Sequence, residues 1–200
     1  MNDELSQLPA YIMAGGKSSR FNSDKARALI GGRPLISIIS EKLETLFVSV
    51  TAVADKPDKY ADLGLTTIGD LTPGLGPLGG LATALDDFTK KKSGTGWIFL
   101  ISCDFVDFET GWIERLWSEK DKKTKAAAFR GDFWEPLFAF YHTSLFAEAH
   151  KRAASNDRSM WRFLEKVKCY PASLPQGWFD VADIDRPEDL EKRKKKTGGK

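Results

Sequence analysis

The chain has 200 residues, enough for one domain, and 42% of them are hydrophobic, so it can build a core and is not a disordered polymer. Thirty basic against 28 acidic side chains leave a formal net charge of +2, which gives no support to nucleic-acid binding. Two cysteines, Cys103 and Cys169, make neither a disulfide framework nor a zinc site, no segment approaches the ~18 apolar residues of a membrane span, and Met1 to Pro9 lacks the apolar stretch of a signal peptide, so a reducing cytoplasm and no membrane partner are expected.

The run Ala10 to Ala14 stops at Gly15-Gly16 and predicts a buried first strand. Leu35, Ile38, Ile39, Leu43 and Leu46 recur at helical spacing, with Pro34 where a first turn tolerates it. Phe47 to Val53 is β-branched and predicts strand two, Leu65 to Ile68 a weaker third. Gly69 to Gly80 is a Gly/Pro-rich loop, followed by a helix over Leu81 to Phe88. Trp97 to Ile101 is the strongest strand signal, a continuous apolar run typical of a strand covered on both faces.

Then come a helix at Thr110 to Trp117, strands at Ala126 to Phe129 and Leu137 to Tyr141, and helices at Ser144 to Ala154 and Ser159 to Lys166. A strand at Val181 to Ile184 and a helix from Pro187 close the pattern. Strands alternating with helices predict an α/β fold with a mostly parallel sheet covered on both faces, as one domain over residues 1–190. The basic run Lys192 to Lys196 opens a tail, 191–200, expected to be disordered. Ligands of such sheets bind beyond the carboxyl ends of the strands, where this sequence puts its glycines and acids.

The first such place is Met13-Ala14-Gly15-Gly16-Lys17-Ser18-Ser19-Arg20-Phe21, followed by Asp24-Lys25. Glycines after a strand allow close backbone approach, and successive N–H groups can cradle phosphate oxygens whose charge Arg20 and Lys25 would offset. It is not a P-loop, because residue 11 is Tyr and not Gly. The second is Asp70 and the loop to Leu81, with a formal G-x-G-x-x-G at Gly74, Gly76 and Gly79. Its strand is weak and not the first, which argues against a dinucleotide site. A rigid loop against a flat ring fits better, with Asp70 as acceptor for a base edge.

The third is Cys103-Asp104 after the strongest strand. A lone carboxylate there suits Mg²⁺, which one or two carboxylates hold together with substrate phosphates; a turn or cap aspartate is the alternative. Cys103 is read as a small core residue. Glu135, before Pro136, has extended backbone. Near the end, Asp185 three before Glu188 resembles a capping box, which leaves Asp183 as the better metal ligand.

Together these motifs resemble the molybdenum cofactor guanylyltransferases, within the nucleotidyltransferases of glycosyltransferase-A-like fold. Met13 to Lys25 matches the family's opening Leu-Ala-Gly-Gly-x-Ser-x-Arg-Met-Gly-x-Asp-Lys in register. Asp70 with Pro73 to Gly80, Cys103-Asp104, Glu135 to Leu137 and Asp183 to Asp189 match its later motifs in order. The resemblance implies a three-layer α/β/α, Rossmann-like nucleotidyltransferase fold. It implies that the backbone of Met13, Ala14 and Gly15, the Lys25 amine and Asp70 hold the nucleotide, with Gly16 and Gly79 as glycines of the two loops. It makes Asp104 a ligand of both nucleotide and Mg²⁺, with Arg20, Lys25 and Asp104 the catalytic set.

GTP and molybdopterin would be the substrates, with hand-over to other cofactor-assembly proteins. A CTP-using relative, a sugar-phosphate nucleotidyltransferase and a nucleotide-binding module without catalysis are the alternatives; retention of both Lys25 and Asp104 argues against the last. The chain departs from the family at three places: Ala52, where strand two is expected to end in Asn; Phe21-Asn22 in place of Met-Gly; and Asp183 and Asp185 in place of two asparagines.

Overall fold

The computed structural model describes residues 3–15, 24–92 and 94–180. The expectations on Gly16, Arg20, Phe21-Asn22, Asp183, Asp185, the strand at 181–184, the helix from Pro187 and the tail 191–200 lie outside them.

The opening apolar run becomes β1 (Pro9–Met13), buried along its whole length. A short antiparallel pair, β2 (Leu29–Ile30) and β3 (Arg33–Pro34), turns on Gly31 and Gly32, both at positive φ, and leads into α1 (Leu35–Glu44). Then follow β4 (Ser49–Ala54), β5 (Thr67–Gly69), α2 (Gly76–Lys92), β6 (Trp97–Ser102), α3 (Thr110–Glu119), β7 (Ala126–Arg130) and β8 (Trp134–His142). Last come α4 (Phe146–Ala153), α5 (Met160–Lys166) and β9 (Tyr170–Ser173).

Seven strands form one sheet in the order β5-β4-β1-β6-β8-β7-β9. β5, β4, β1 and β6 are parallel to one another, β7 and β9 run the same way, and β8 alone is antiparallel to its neighbours. Side chains alternate across this sheet, because successive residues of a strand point to opposite faces. Ala10, Ile12, Phe99 and Ile101 join one core with Ile36, Ile39 and Leu43 of α1 and Ile113 and Leu116 of α3. Tyr11, Met13, Ile98 and Leu100 join the other, with Leu81 and Leu85 of α2, Ala149 of α4 and Phe163 of α5. The fold is therefore a three-layer α/β/α sandwich around a mostly parallel sheet.

Several boundaries move. Helix α2 begins inside the predicted loop: Gly76 has φ +68°, and Pro77 follows it at the helix start, where a missing N–H costs nothing. Gly79 and Gly80 are consequently buried helical residues; Gly79 has no room for a side chain, and one at Gly80 would have to displace the flexible end of Met13. A Cβ at Gly79 would come 2.6 Å from Leu75 Cβ, and one at Gly80 would come 2.0 Å from Met13 Cε. The second strand runs to Ala54, so Ala52 lies in its middle, fully buried and paired with Ile12 and Thr67. The residue at the strand's end is Ala54, two further on and again an alanine.

Candidate active site

The order of the sheet places the crevice. From β1 the chain moves outward to β4 and β5 on one side, then crosses to β6 on the other. Ligands of open α/β sheets bind where the order reverses in this way, outside the carboxyl ends of the strands. The residues leaving β1 and β6 there are Ala14-Gly15 and Cys103-Asp104. They are stitched together by backbone bonds: Cys103 N donates to Met13 O at 3.1 Å, and Ala14 N to Val53 O at 2.9 Å.

Met13 and Ala14 are buried, and Gly15 emerges into solvent. Gly15 does not occupy the left-handed region. Its use is closeness: a Cβ there would stand 3.7 Å from Ala54 Cα and 3.7 Å from Asp70 Oδ2. Asp70 follows β5, its N–H donating to Ala54 O at 2.8 Å. Burial, with the charge of Asp55 second, pushes its carboxyl above the usual carboxylate range. Behind it, the buried Thr83 hydroxyl donates to Gly79 O and accepts from Leu71 N, which ties the loop to α2. Arg158 donates to Gly74 O at 3.1 Å, from the far side of that loop.

Lys25 opens a short 3-10 turn, Lys25–Arg27, and its amine reaches across to Asp104 Oδ2 at 2.5 Å. Both side chains are mostly enclosed, 15% and 19% exposed, so the pair is screened far less than a surface ion pair. The turn is held by its own cap, Asp24, whose carboxylate accepts from Ala26 N at 3.1 Å. Residues 55–62, after β4, supply the rest of its support. The Tyr60 hydroxyl lies 3.0 and 3.1 Å from the two Asp24 oxygens and 3.4 Å from Ala14 O. Lys59 approaches Asp24 at 3.2 Å, and Arg27 makes a two-pronged contact with Asp62 at 2.7 and 2.8 Å.

On the other side of Asp104 a cavity of about 200 Å³ opens, lined by Ser102, Asp104, Phe105, Glu135 to Phe138 and Trp178. It exists because β8 is antiparallel: Phe138 pairs with Ile101, so Glu135, Pro136 and Leu137 run on beyond the end of β6. Cys103 faces the core, where burial pushes its thiol up to about 12, the state of an inert packing residue.

The structure thus brings Met13, Ala14, Gly15, Lys25, Asp70 and Asp104 to one end of the sheet. Gly79 is packed inside α2, with Leu75 as its nearest neighbour. Sequence reasoning passed over Tyr60, Lys59, Phe105 and Trp178. The dense acid/base run Asp55 to Asp62 directly after a strand was the available signal for the first two; nothing local marked the others.

A glycine turn leaving β1, a cation facing a carboxylate across the switch point, and an acid on a Pro/Gly loop define a nucleotide-handling α/β domain of the nucleotidyltransferase class. Comparison with known proteins gives the particular family. The model of the MobA-like NTP transferase domain matches residues 10–171. The molybdenum cofactor guanylyltransferase of Syntrophotalea carbinolica is 26% identical over 95% of this chain and 92% of its own. A probable molybdenum cofactor guanylyltransferase of Deinococcus radiodurans is 34% identical over 92% of both. Molybdopterin-guanine dinucleotide biosynthesis protein A of Archaeoglobus fulgidus shares the fold, with a TM-score of 0.79 at 22% identity over 96% of this chain and all of the other. The chain belongs to the MobA-like nucleotidyltransferases, the family of the molybdenum cofactor guanylyltransferases.

Proposed function

We propose that the protein transfers GMP from GTP to the terminal phosphate of molybdopterin and releases pyrophosphate, as a cytoplasmic enzyme. The observation that carries this reading is the Lys25–Asp104 pair at the switch point, flanked by the glycine turn on one side and a cavity on the other. A transferase needs two substrate compartments meeting at one charged centre, and the names of the family's members supply the chemistry of both.

The acceptor is a phosphate monoester, already a dianion near neutral pH because its second pKa is about 6. Its oxygen attacks the α-phosphorus of GTP, a new P–O bond forms, and the bond to the β-phosphate breaks, its electron pair leaving with pyrophosphate. No general base is required. The protein's task is to offset repulsion between two anions and to receive the charge of the leaving group. The Lys25 ammonium has three N–H donors, so it can keep Asp104 while turning others to phosphate oxygens. The Gly15 amide, next to the Ala14 N–H that is given to Val53 O, is the proposed backbone donor to the nucleotide.

The donor set fits Mg²⁺ held chiefly by its substrate. Among the described residues no three acids, histidines or cysteines gather as a metal-binding group, and Asp104 is a single, partly open carboxylate. Mg²⁺ so held keeps most of its other ligands from phosphate and water. Asp104 is the proposed ligand, with Asp183 the second. When bound, the ion supplies positive charge to the reacting phosphates.

Guanine is the proposed base because it offers two adjacent donors, N1–H and the exocyclic amine, and an ionised carboxylate such as Asp70 accepts both. Cytosine offers one donor beside an acceptor. Turnover of GTP, CTP, ATP and UTP with molybdopterin or its molybdate-loaded form, scored by pyrophosphate, tests the reading. GTP should give the highest kcat/KM; equal or higher efficiency with CTP would overturn the guanylyl assignment.

A further inference from the structure

We infer that Tyr60 is a positioning residue whose buried hydroxyl donates to Asp24, where the phosphate-binding loop ends, beside the Ala14 carbonyl where it begins, and through Asp24 sets where Lys25 sits. The inference rests on the reading of this crevice as a nucleotide site. Ala14 is where the chain enters the loop after β1, and Asp24 is where it leaves. Ten positions separate them in sequence, yet both lie within 3.4 Å of the same phenolic oxygen. The phenol carries one proton, which is given to the nearer partner, the Asp24 carboxylate; the Ala14 carbonyl is its other acceptor within reach.

The side chain of Tyr60 is fully buried, and burial followed by the Asp24 charge raises its hydroxyl well above the ordinary phenol range. It therefore remains a neutral donor at every working pH. Its partner Asp24 is the cap of the turn that begins with Lys25, so any drift of Asp24 moves the lysine. Two further links from the same segment act in parallel. Lys59 sits on Asp24, and Arg27 grips Asp62 and the Lys59 carbonyl. The segment following β4 is in effect the mount on which the site's lysine is set, and Tyr60 is a buried fastening of it. A shift of the turn by an ångström would draw Lys25 away from the phosphates it is proposed to hold, and so weaken nucleotide binding.

Kinetics of the full-length protein, together with binding of a fluorescent GTP analogue, test this. Tyr60→Phe keeps the ring and removes only the hydroxyl. Nucleotide Kd and KM should rise about tenfold, the worth of a hydrogen bond to a charged group, while the acceptor KM stays close to wild type and the protein remains folded. A residue that merely supports the fold would lower the active fraction and so the apparent kcat, leaving both KM values alone; that result overturns the inference. Asp24→Ala carries the test independently. It should weaken nucleotide binding as Tyr60→Phe does, and the double variant should be little worse than either, whereas full additivity would dissolve the link. Asp24→Asn, which keeps an acceptor for both Tyr60 and Ala26, should lie nearer wild type than Asp24→Ala. If the wild-type protein binds another triphosphate in place of GTP, the guanylyl reading fails, and the same comparison with that nucleotide still decides the role of Tyr60.

Discussion

The two faces of the central sheet are packed from different materials. Beneath α1 and α3 the core is aromatic. Phe138 alone meets Phe99, Phe105, Phe108, Phe129 and Trp178, with ring centroids 5.1 to 5.8 Å apart. Beneath α2 and α4 the rings are fewer, Tyr11, Phe88, Trp134, Tyr141 and Phe163, set among leucines and buried alanines such as Ala82, Ala84 and Ala149. Rings fill volume and hold large contact areas, but they keep backbones apart. Alanines and glycines let a helix settle close to the sheet, as Gly80 does against Met13. The aromatic face holds the larger contact area; the other lets the start of α2 settle on Met13 of β1. The candidate site draws on both, with Met13 from one core and Ala14 and the cavity walls Phe105, Phe138 and Trp178 from the other.

The sharpest way to break this division is Phe138→Ala. Emptying the centre of the aromatic face should cost about 3–5 kcal/mol, read by denaturant unfolding, with nucleotide affinity of the remaining folded protein little changed. An affinity loss as large as the stability loss would mean that the faces are not separable. Asp104→Asn should do the reverse. Turnover should fall by at least ~10²-fold, as for a key electrostatic group, while the melting temperature stays near wild type because the amide oxygen still accepts from Lys25. Near-normal pyrophosphate release at limiting Mg²⁺ would remove Asp104 from the mechanism.

The smallest effect is expected at Asp70, and its sign is opposite. Its carboxyl is raised in the folded protein, chiefly by burial, so ionising it works against folding. That penalty is absent when the group is protonated and grows as pH rises through the carboxylate range. Asp70→Asn should therefore raise the melting temperature at pH 7, with the advantage shrinking as pH falls through the carboxylate range. It should also erode the preference for GTP over CTP more than it lowers kcat. A variant less stable at pH 7, or an unchanged nucleotide ratio, would show that the charge is needed by the loop and not by the base.

Much of this was legible in the sequence, for physical reasons. Buried parallel strands must be apolar on both faces, so β1 and β6 stood out, and acids or glycines at their ends fall into the crevice by topology alone. The reading faltered where local pattern and tertiary role part company. Glycines and prolines made the first turn of α2 look like loop, although Gly79 is there because Leu75 leaves no room. Strands β2 and β3 are two residues each, and β9 has one buried side chain in four, so neither carries a periodic signal. An apolar run cannot reveal its direction, which hid the reversal of β8. Tyr60 was invisible for a related reason: its partners Asp24 and Ala14 are 36 and 46 positions away.

That reversal bears on how such a protein can diversify. Because β8 enters the sheet from the crevice end, the three-residue connection 131–133 that precedes it lies at the same end of the sheet as Glu135. Phe133 at its tip is 75% exposed. Hairpin connections of this kind absorb insertions readily, since their backbone makes few buried bonds. Lineages could lengthen or recolour this turn and so remodel the acceptor compartment, while the parallel strands and the mount of Lys25 are inherited unchanged.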